Sequence, residues 1–197
     1  MTTTTHMPTL ASVLWPVSAG STAASNATTR AIILAFAGSL LMTLSAKVQI
    51  PFWPVPMTMQ TFVVLVLGVA YGWKLGAASM LLYLAEGAIG LPVFSGTPER
   101  GIGLAYMTGP TGGYLVGFVL GAALCGWLAE RGWDRSVGKV TLAMLLGHAL
   151  ILGCGMAWLA VLMGAEKAVQ FGLMPFLAAT VFKTVLAVVA LPAAWRL

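Results

Sequence analysis

The sequence predicts an all-α integral membrane protein, a compact bundle of six transmembrane helices with functional outer loops. Three observations carry this. Of 197 residues, 59% are hydrophobic and 8% are charged, against roughly 45–50% and about 25% in ordinary soluble domains. So few charges leave a soluble domain of this size without a polar surface. The apolar runs are long and continuous, on the scale of the ~20 residues a membrane helix needs. They do not alternate apolar and polar positions as the strands of a membrane β-barrel do over about 10 residues.

Six spans can be drawn in order, at residues 31–46, 57–71, 75–89, 111–129, 140–164 and 173–195. The first three are short for a full crossing, which implies loops that dip toward the membrane or ends that border a protein-lined cavity. Residues 1–29 are rich in Thr, Ser and Ala and carry no Lys or Arg. They are expected to form a flexible tail with a short surface-lying segment, since a secretory signal needs a basic start and a longer apolar stretch. Residues 30–197 then form the transmembrane substrate-binding domain.

Charge placement sets the expected orientation. With the N-terminus inside, inner segments hold Arg30, Lys74, Arg131, Arg135, Lys139 and Arg196, and outer ones Lys47, Arg100 and Lys167. This excess places both termini in the cytoplasm. The net charge of +5 is scattered between apolar spans as topology signals, so no nucleic-acid partner is expected.

The two long outer connections differ from the inner ones. Residues 48–56 hold three prolines and two aromatics, which makes a stiff, extended loop. Residues 91–110 form a long glycine-rich loop with Glu99 and Arg100 at its middle. Loops of that length in a compact protein are usually functional or disordered, and their shared face points to a binding site there.

Several residues are candidates for chemistry. The stretch GPTGGY, residues 109–114, opens the fourth span. Pro110, Gly112 and Gly113 allow a tight helix entry, which either leaves amide donors exposed to an anionic group or serves only as a helix-start turn with close packing. Gly113, Gly117, Gly121 and Cys125 recur every four residues and let another helix approach closely, from within this chain or from another subunit. Ala31, Ala35 and Ser39 form a similar stripe on the first span, serving ordinary packing or a separate membrane subunit. Glu86 and Lys183 are ionisable residues within spans, where charge is costly. They either pair with each other or face one cavity, with Lys183 toward a carboxylate and Glu86 toward ligand N–H groups. His148 is expected to be a satisfied packing residue, and Cys125 and Cys154 to be packed thiols without metal-ligand spacing.

Enzyme function finds little support. HExxH, GxSxG and paired carboxylates at helical spacing are all missing from the sequence. There is no Gly-Lys-Ser/Thr tripeptide to end a Walker A loop, so the chain is not expected to bind ATP. Binding or transport remains. A secondary transporter or channel for a small organic anion is the alternative, weakened because no inverted repeat is visible.

Three stretches identify a family. AKVQIPFWPVPMTMQTF at 46–62, LLYLAEGAIGLPVFSG at 81–96 and GPTGGYLVGF at 109–118 resemble, in order and spacing, the BioY family. The resemblance runs from about Leu34 to Pro192. It implies the biotin-specific S component of an energy-coupling factor transporter: a six-helix protein of the prokaryotic cytoplasmic membrane that captures biotin from outside. In such systems a transmembrane coupling (T) subunit and ATPase subunits supply the energy, so ATP is used by partners and no cofactor is bound here. The Ala31/Ala35 stripe is similar to the family's docking pattern.

Biotin's chemistry suits the residues that the resemblance covers. Thr58, Gln60 and Glu86 offer partners for the ureido ring, and Trp53, Phe94 and Tyr114 offer walls for the bicycle. Lys183 and Arg100 compete for the carboxylate. One departure stands out. Members of the family often carry an acidic residue three positions before the helix-six lysine, whereas PFLAATVFK at 175–183 has Thr180 there.

Overall fold

The computed structural model describes residues 7–16, 23–51 and 53–195. Of the expected features, Arg196, Phe52 and residues 1–6 and 17–22 lie outside the described residues. The elements are helices α1 (Leu10–Leu14) and α2 (Ala23–Lys47), strands β1 (Gln49–Ile50) and β2 (Met57–Thr58), then α3 (Gln60–Tyr71), α4 (Trp73–Ala88), α5 (Gly103–Met107) and α6 (Gly112–Ala129). A 3-10 turn at Trp133–Arg135 leads into α7 (Val137–Met163), α8 (Ala165–Gly172) and α9 (Met174–Ala194).

Among the described residues, four stretches are long and apolar enough to cross a membrane: Asn26–Lys47, Gly112–Ala129, Val137–Met163 and Ala165–Ala194. The outer surface of the bundle is apolar, with Phe36, Leu40, Val161, Phe182 and Val189 all exposed, as a lipid-facing surface requires. Helices α3 and α4 are shorter, 12 and 16 residues, or about 18 and 24 Å at ~1.5 Å per residue. A single residue joins them. Gly72, at φ 81°, adopts the left-handed conformation that only glycine takes without cost, and it ends α3 while opening α4.

The boundaries differ from the sequence expectation in three places. The first long helix begins at Ala23, inside the expected tail, and α1 packs against α3 with Leu10 and Ala11 buried. The second helix starts at Gln60 rather than at residue 57, because Met57 and Thr58 pair with Ile50 and Gln49 in an antiparallel hairpin. The three prolines between the strands cannot donate backbone hydrogen bonds, so the chain turns back instead of continuing a helix. The connection at 165–172 is itself helical, and so is part of the long outer loop, at α5.

Helix α6 lies at the centre, packed against α3, α4 and α7. Its glycine stripe packs within the chain: a Cβ at Gly113 would lie 2.4 Å from the Cys154 carbonyl oxygen, and one at Gly117 2.8 Å from Ile151 Cα. Both contacts are with α7. Cys125 is buried and directs its thiol to the Ala143 carbonyl, 3.3 Å away, while Cys154 is half-buried and free. At the end of α6 remote from the outer loops, buried Asp134 accepts from Trp195 Nε1 at 2.8 Å. This ties the α6–α7 connection to the end of α9. Burial pushes the Asp134 carboxyl above the ordinary aspartate range, partly offset by that bond.

A candidate binding cavity beneath the outer loops

At the other end of the bundle, a narrow cavity of about 40 Å³ is bounded by the two outer loops, α3, α4, α6, α7 and α9. Its walls are mainly aromatic. Phe94, from the long loop, stacks on Tyr106 of α5 with ring centroids 4.8 Å apart and meets Tyr83 of α4 edge-on at 5.3 Å. Tyr114 and Phe176 close the side toward α9 at 6.0 Å. Tyr114 is held there because its hydroxyl donates to the Gly172 carbonyl at 2.8 Å.

Polar groups converge between these rings. Gln60 Nε2 donates to the Tyr83 hydroxyl at 2.7 Å, and that hydroxyl donates to the Val93 carbonyl at 3.2 Å. Thr58 Oγ1 donates to Gln60 Oε1 at 3.3 Å. This chain fixes the amide's orientation and leaves it lining the cavity. Lys183 reaches in from α9 and is 4% exposed. Its ammonium donates to the Thr58 carbonyl at 2.6 Å and to Thr61 Oγ1 at 2.8 Å. Both acceptors are neutral, so a buried cation with three donors faces the cavity with no carboxylate hydrogen-bonded to it among the described residues. Such a group favours an anionic ligand.

Of the residues expected at a site, Thr58, Gln60, Phe94, Tyr114 and Lys183 line this one cavity. The others lie elsewhere. Glu86 accepts from the Ser39 hydroxyl, so the Glu86–Lys183 pair is not formed; the register of α4 on α2 turns the carboxylate toward α2. The same contact corrects Ser39, which is 1% exposed and packs inside the bundle instead of on a docking surface. Ala31 and Ala35 remain half-buried on α2. Gly112 and Gly113 are spacers: a Cβ at Gly112 would lie 2.1 Å from the Met107 carbonyl oxygen, so their place is the close approach of α6 to its neighbours. Trp53 is 73% exposed, with its ring 6.0 Å from Phe171, outside the cavity lining. His148 directs Nδ1 to the Met144 carbonyl at 2.9 Å, but Nε2 is buried without a partner among the described residues; it is half satisfied rather than fully so.

Arg100 joins the two outer loops, donating from Nη1 to the Pro54 carbonyl at 3.3 Å. Lys47, which counted only as a topology charge in the sequence, does more. Its ammonium donates to the carbonyls of Pro92 and Phe94 at 3.0 and 3.2 Å and to Thr97 Oγ1 at 3.4 Å. Ser95 also donates to Gln49 Oε1. The long loop is therefore fastened to the end of α2 and to the hairpin, with Phe94 held over the cavity. Replacing Lys47 with Met keeps the apolar stem and removes the fastener. Hydrogen exchange across residues 91–101 should then speed at least tenfold, since hydrogen bonds to charged groups contribute about 1.5–3 kcal/mol each. Unchanged exchange would show that the loop is held by other contacts.

Several lining residues were not singled out by the sequence: Thr61, Tyr83, Tyr106, Phe118, Leu152 and Phe176. Tyr83 sits in the second matched stretch beside Glu86, and polarity drew attention to the wrong neighbour. Tyr106 belongs to a five-residue helix too short to leave a periodic signal.

This architecture has relatives. The BioY family model matches residues 18–197. A probable biotin transporter BioY of Pyrococcus horikoshii is 36% identical over 76% of this chain and 86% of its own length. The biotin transporter BioY of Thermotoga maritima is 35% identical over 80% of this chain and 91% of its own. That of Rhizobium etli is 38% identical over 71% and 78%. In three dimensions, the crystal structure of the S-component for biotin from an ECF-type ABC transporter superposes with a TM-score of 0.75 at 24% identity, covering 87% of this chain and 94% of that one. Sequence and fold agree, and the chain belongs to the BioY family.

Proposed function

We propose that this chain captures biotin in the cavity beneath its outer loops and delivers it across the membrane with a separate coupling subunit and ATPases. The observation that carries this reading is the buried Lys183 ammonium, set on neutral acceptors in the wall of an aromatic cavity. Biotin has a ureido ring, an apolar bicycle and a carboxylate. In this assignment Lys183 takes the carboxylate, Gln60, Thr58 and Tyr83 serve the ureido group, and Phe94, Tyr106 and Tyr114 flank the bicycle. Arg100 and Lys47 hold the loops that close over it. Thr180, half-buried one turn before Lys183, leaves the ammonium without a local carboxylate and so available to the ligand's own.

The chain crosses the membrane six times in this reading, by α2, α3, α4, α6, α7 and α9, with both termini in the cytoplasm of a prokaryotic cell. Helices α3 and α4 reach across because the outer loops and the hairpin fill the space above their ends. The chain acts as a binding subunit and not as an enzyme, and it binds no cofactor of its own; ATP is consumed by its partners. Titrating purified protein with biotin should give saturable binding at one site per chain. Uptake that follows an ion gradient in the absence of any ATPase would instead favour a secondary transporter.

Docking of the coupling subunit is assigned to Ala31 and Ala35, the small residues of α2 that remain partly accessible, without Ser39. Ala35→Trp should abolish co-purification with a coupling subunit and leave biotin affinity unchanged. A complex of normal yield would remove Ala35 from the interface.

A further inference from the structure

At the end of the bundle opposite the biotin cavity lies a second, open cavity of about 450 Å³. It is bordered by α1, the start of α2, and the Gly72 turn, with Arg30, Tyr71, Trp73, Lys74 and Glu130 among its lining residues. Arg30 carries the observation of most interest. Its Nε is buried and has no hydrogen-bond partner among the described residues, although a guanidinium offers five donors in a fork that matches phosphate oxygens. Lys74 is exposed beside it, with its ammonium 5.5 Å from the Trp73 ring centroid. Glu130 is the acidic residue of the lining, and its Oε1 accepts from the Trp73 backbone N–H at 3.1 Å. Among the described lining residues, two cations against one carboxylate leave the charge positive.

The depth of this cavity is fixed by its surroundings. Arg131 lies 3.5 Å over the Trp127 ring and Arg135 4.3 Å over the Trp195 ring, at the same end of the bundle. Tryptophans beside basic residues mark the level of lipid headgroups, where anionic phospholipid is attracted to Lys and Arg. A cavity at that level, lined by a guanidinium whose Nε has no hydrogen-bond partner among the described residues, has the chemistry of a headgroup site. We propose that Arg30 and Lys74 bind the phosphate of an anionic phospholipid headgroup, such as phosphatidylglycerol, with Tyr71 at the rim. This rests on the membrane placement of the chain and not on the identity of its transported ligand. Because Ala31 also lines the cavity, a bound headgroup would lie beside the assigned docking surface.

The test counts phosphatidylglycerol and phosphatidylcholine retained by purified protein, by mass spectrometry, after extraction from vesicles containing both. Retained phosphatidylglycerol should fall at least fivefold in the Arg30→Gln/Lys74→Gln double variant, with phosphatidylcholine unchanged. The Arg135→Gln/Lys139→Gln double variant removes two charges from the same end outside the cavity and should retain the wild-type amount. Lys74→Gln alone, at an exposed position, gives an intermediate loss and keeps the test open if the double variant folds poorly. Equal losses in both double variants, or none in either, would overturn the proposal by showing diffuse charge attraction or no site. Displacement of the lipid by inorganic phosphate would overturn it in favour of a free-anion site. Loss of a protein partner without loss of phosphatidylglycerol would assign the cavity to that partner instead.

Discussion

Lys183→Ala should lower biotin affinity at least tenfold while leaving the ligand-free protein as stable as the wild type or more so. Tenfold corresponds to about 1.4 kcal/mol, a conservative figure for a buried charge-assisted contact. The two halves of the prediction have one physical origin. Burying an ammonium costs several kcal/mol in desolvation, and neutral acceptors repay only part of it. In the empty cavity Lys183 has the Thr58 carbonyl and Thr61 hydroxyl, so removing it relieves a cost. In the proposed assignment biotin's carboxylate supplies the missing countercharge, and removing Lys183 would then leave that carboxylate buried and unpaired. Lys183→Met separates charge from packing, because it keeps the apolar stem and should lose affinity to the same degree. A variant that unfolds early, or that binds biotin normally, would contradict the assignment. Biotin amide provides a further check: it lacks the charge and should bind wild type and Lys183→Met with similar affinity.

Gly113→Ala should destabilise the bundle and weaken binding together, reversing the usual sign of this change. In an unconstrained helix, alanine is favoured over glycine by about 0.5–1 kcal/mol. At residue 113 the added methyl would meet the Cys154 carbonyl oxygen and Trp158 Cβ, each at 2.4 Å. Neither can give way alone, since one is α7 backbone and the other is the root of a side chain whose Nε1 donates to the Gly109 carbonyl at 2.9 Å. Helix α7 must therefore move as a body. Overpacking of this kind costs about 1–3 kcal/mol, and the shift would also disturb Leu152 and Tyr114 in the cavity wall. Gly153→Ala is the matched control. It lies on the same stretch of α7 but on its exposed face, where a Cβ meets nothing within 4 Å, so its melting temperature should be unchanged or raised. Equal melting temperatures for the two variants would mean that the α6–α7 approach is looser than described.

The parts of the structure visible in the sequence were those set by local composition and spacing. Long apolar runs announced α2, α6, α7 and α9, and the four-residue recurrence of Gly113, Gly117 and Gly121 announced a close helix contact, though not its partner. Lys183 was conspicuous because an ammonium within an apolar helix needs a reason. What escaped depends on how elements turn against each other. Glu86 had the same claim to the cavity as Lys183, but rotation of α4 on α2 gives its carboxylate to Ser39. Arg100 looked like a ligand cation and instead links two loops through Pro54. Met57 and Thr58 continued an apolar run without interruption, and only their pairing with Ile50 and Gln49 makes them a strand. Lys47 could not be distinguished from a flanking charge until its three acceptors on the long loop were in place.

The central claim, biotin in the cavity at Lys183, is tested most directly by the identity of the ligand that the protein carries. Protein purified from cells grown with biotin, denatured and analysed by mass spectrometry, should release a small molecule of biotin's mass, and Lys183→Ala prepared in parallel should release little or none. Release of a different compound from the wild type, or equal biotin from both proteins, would contradict the account.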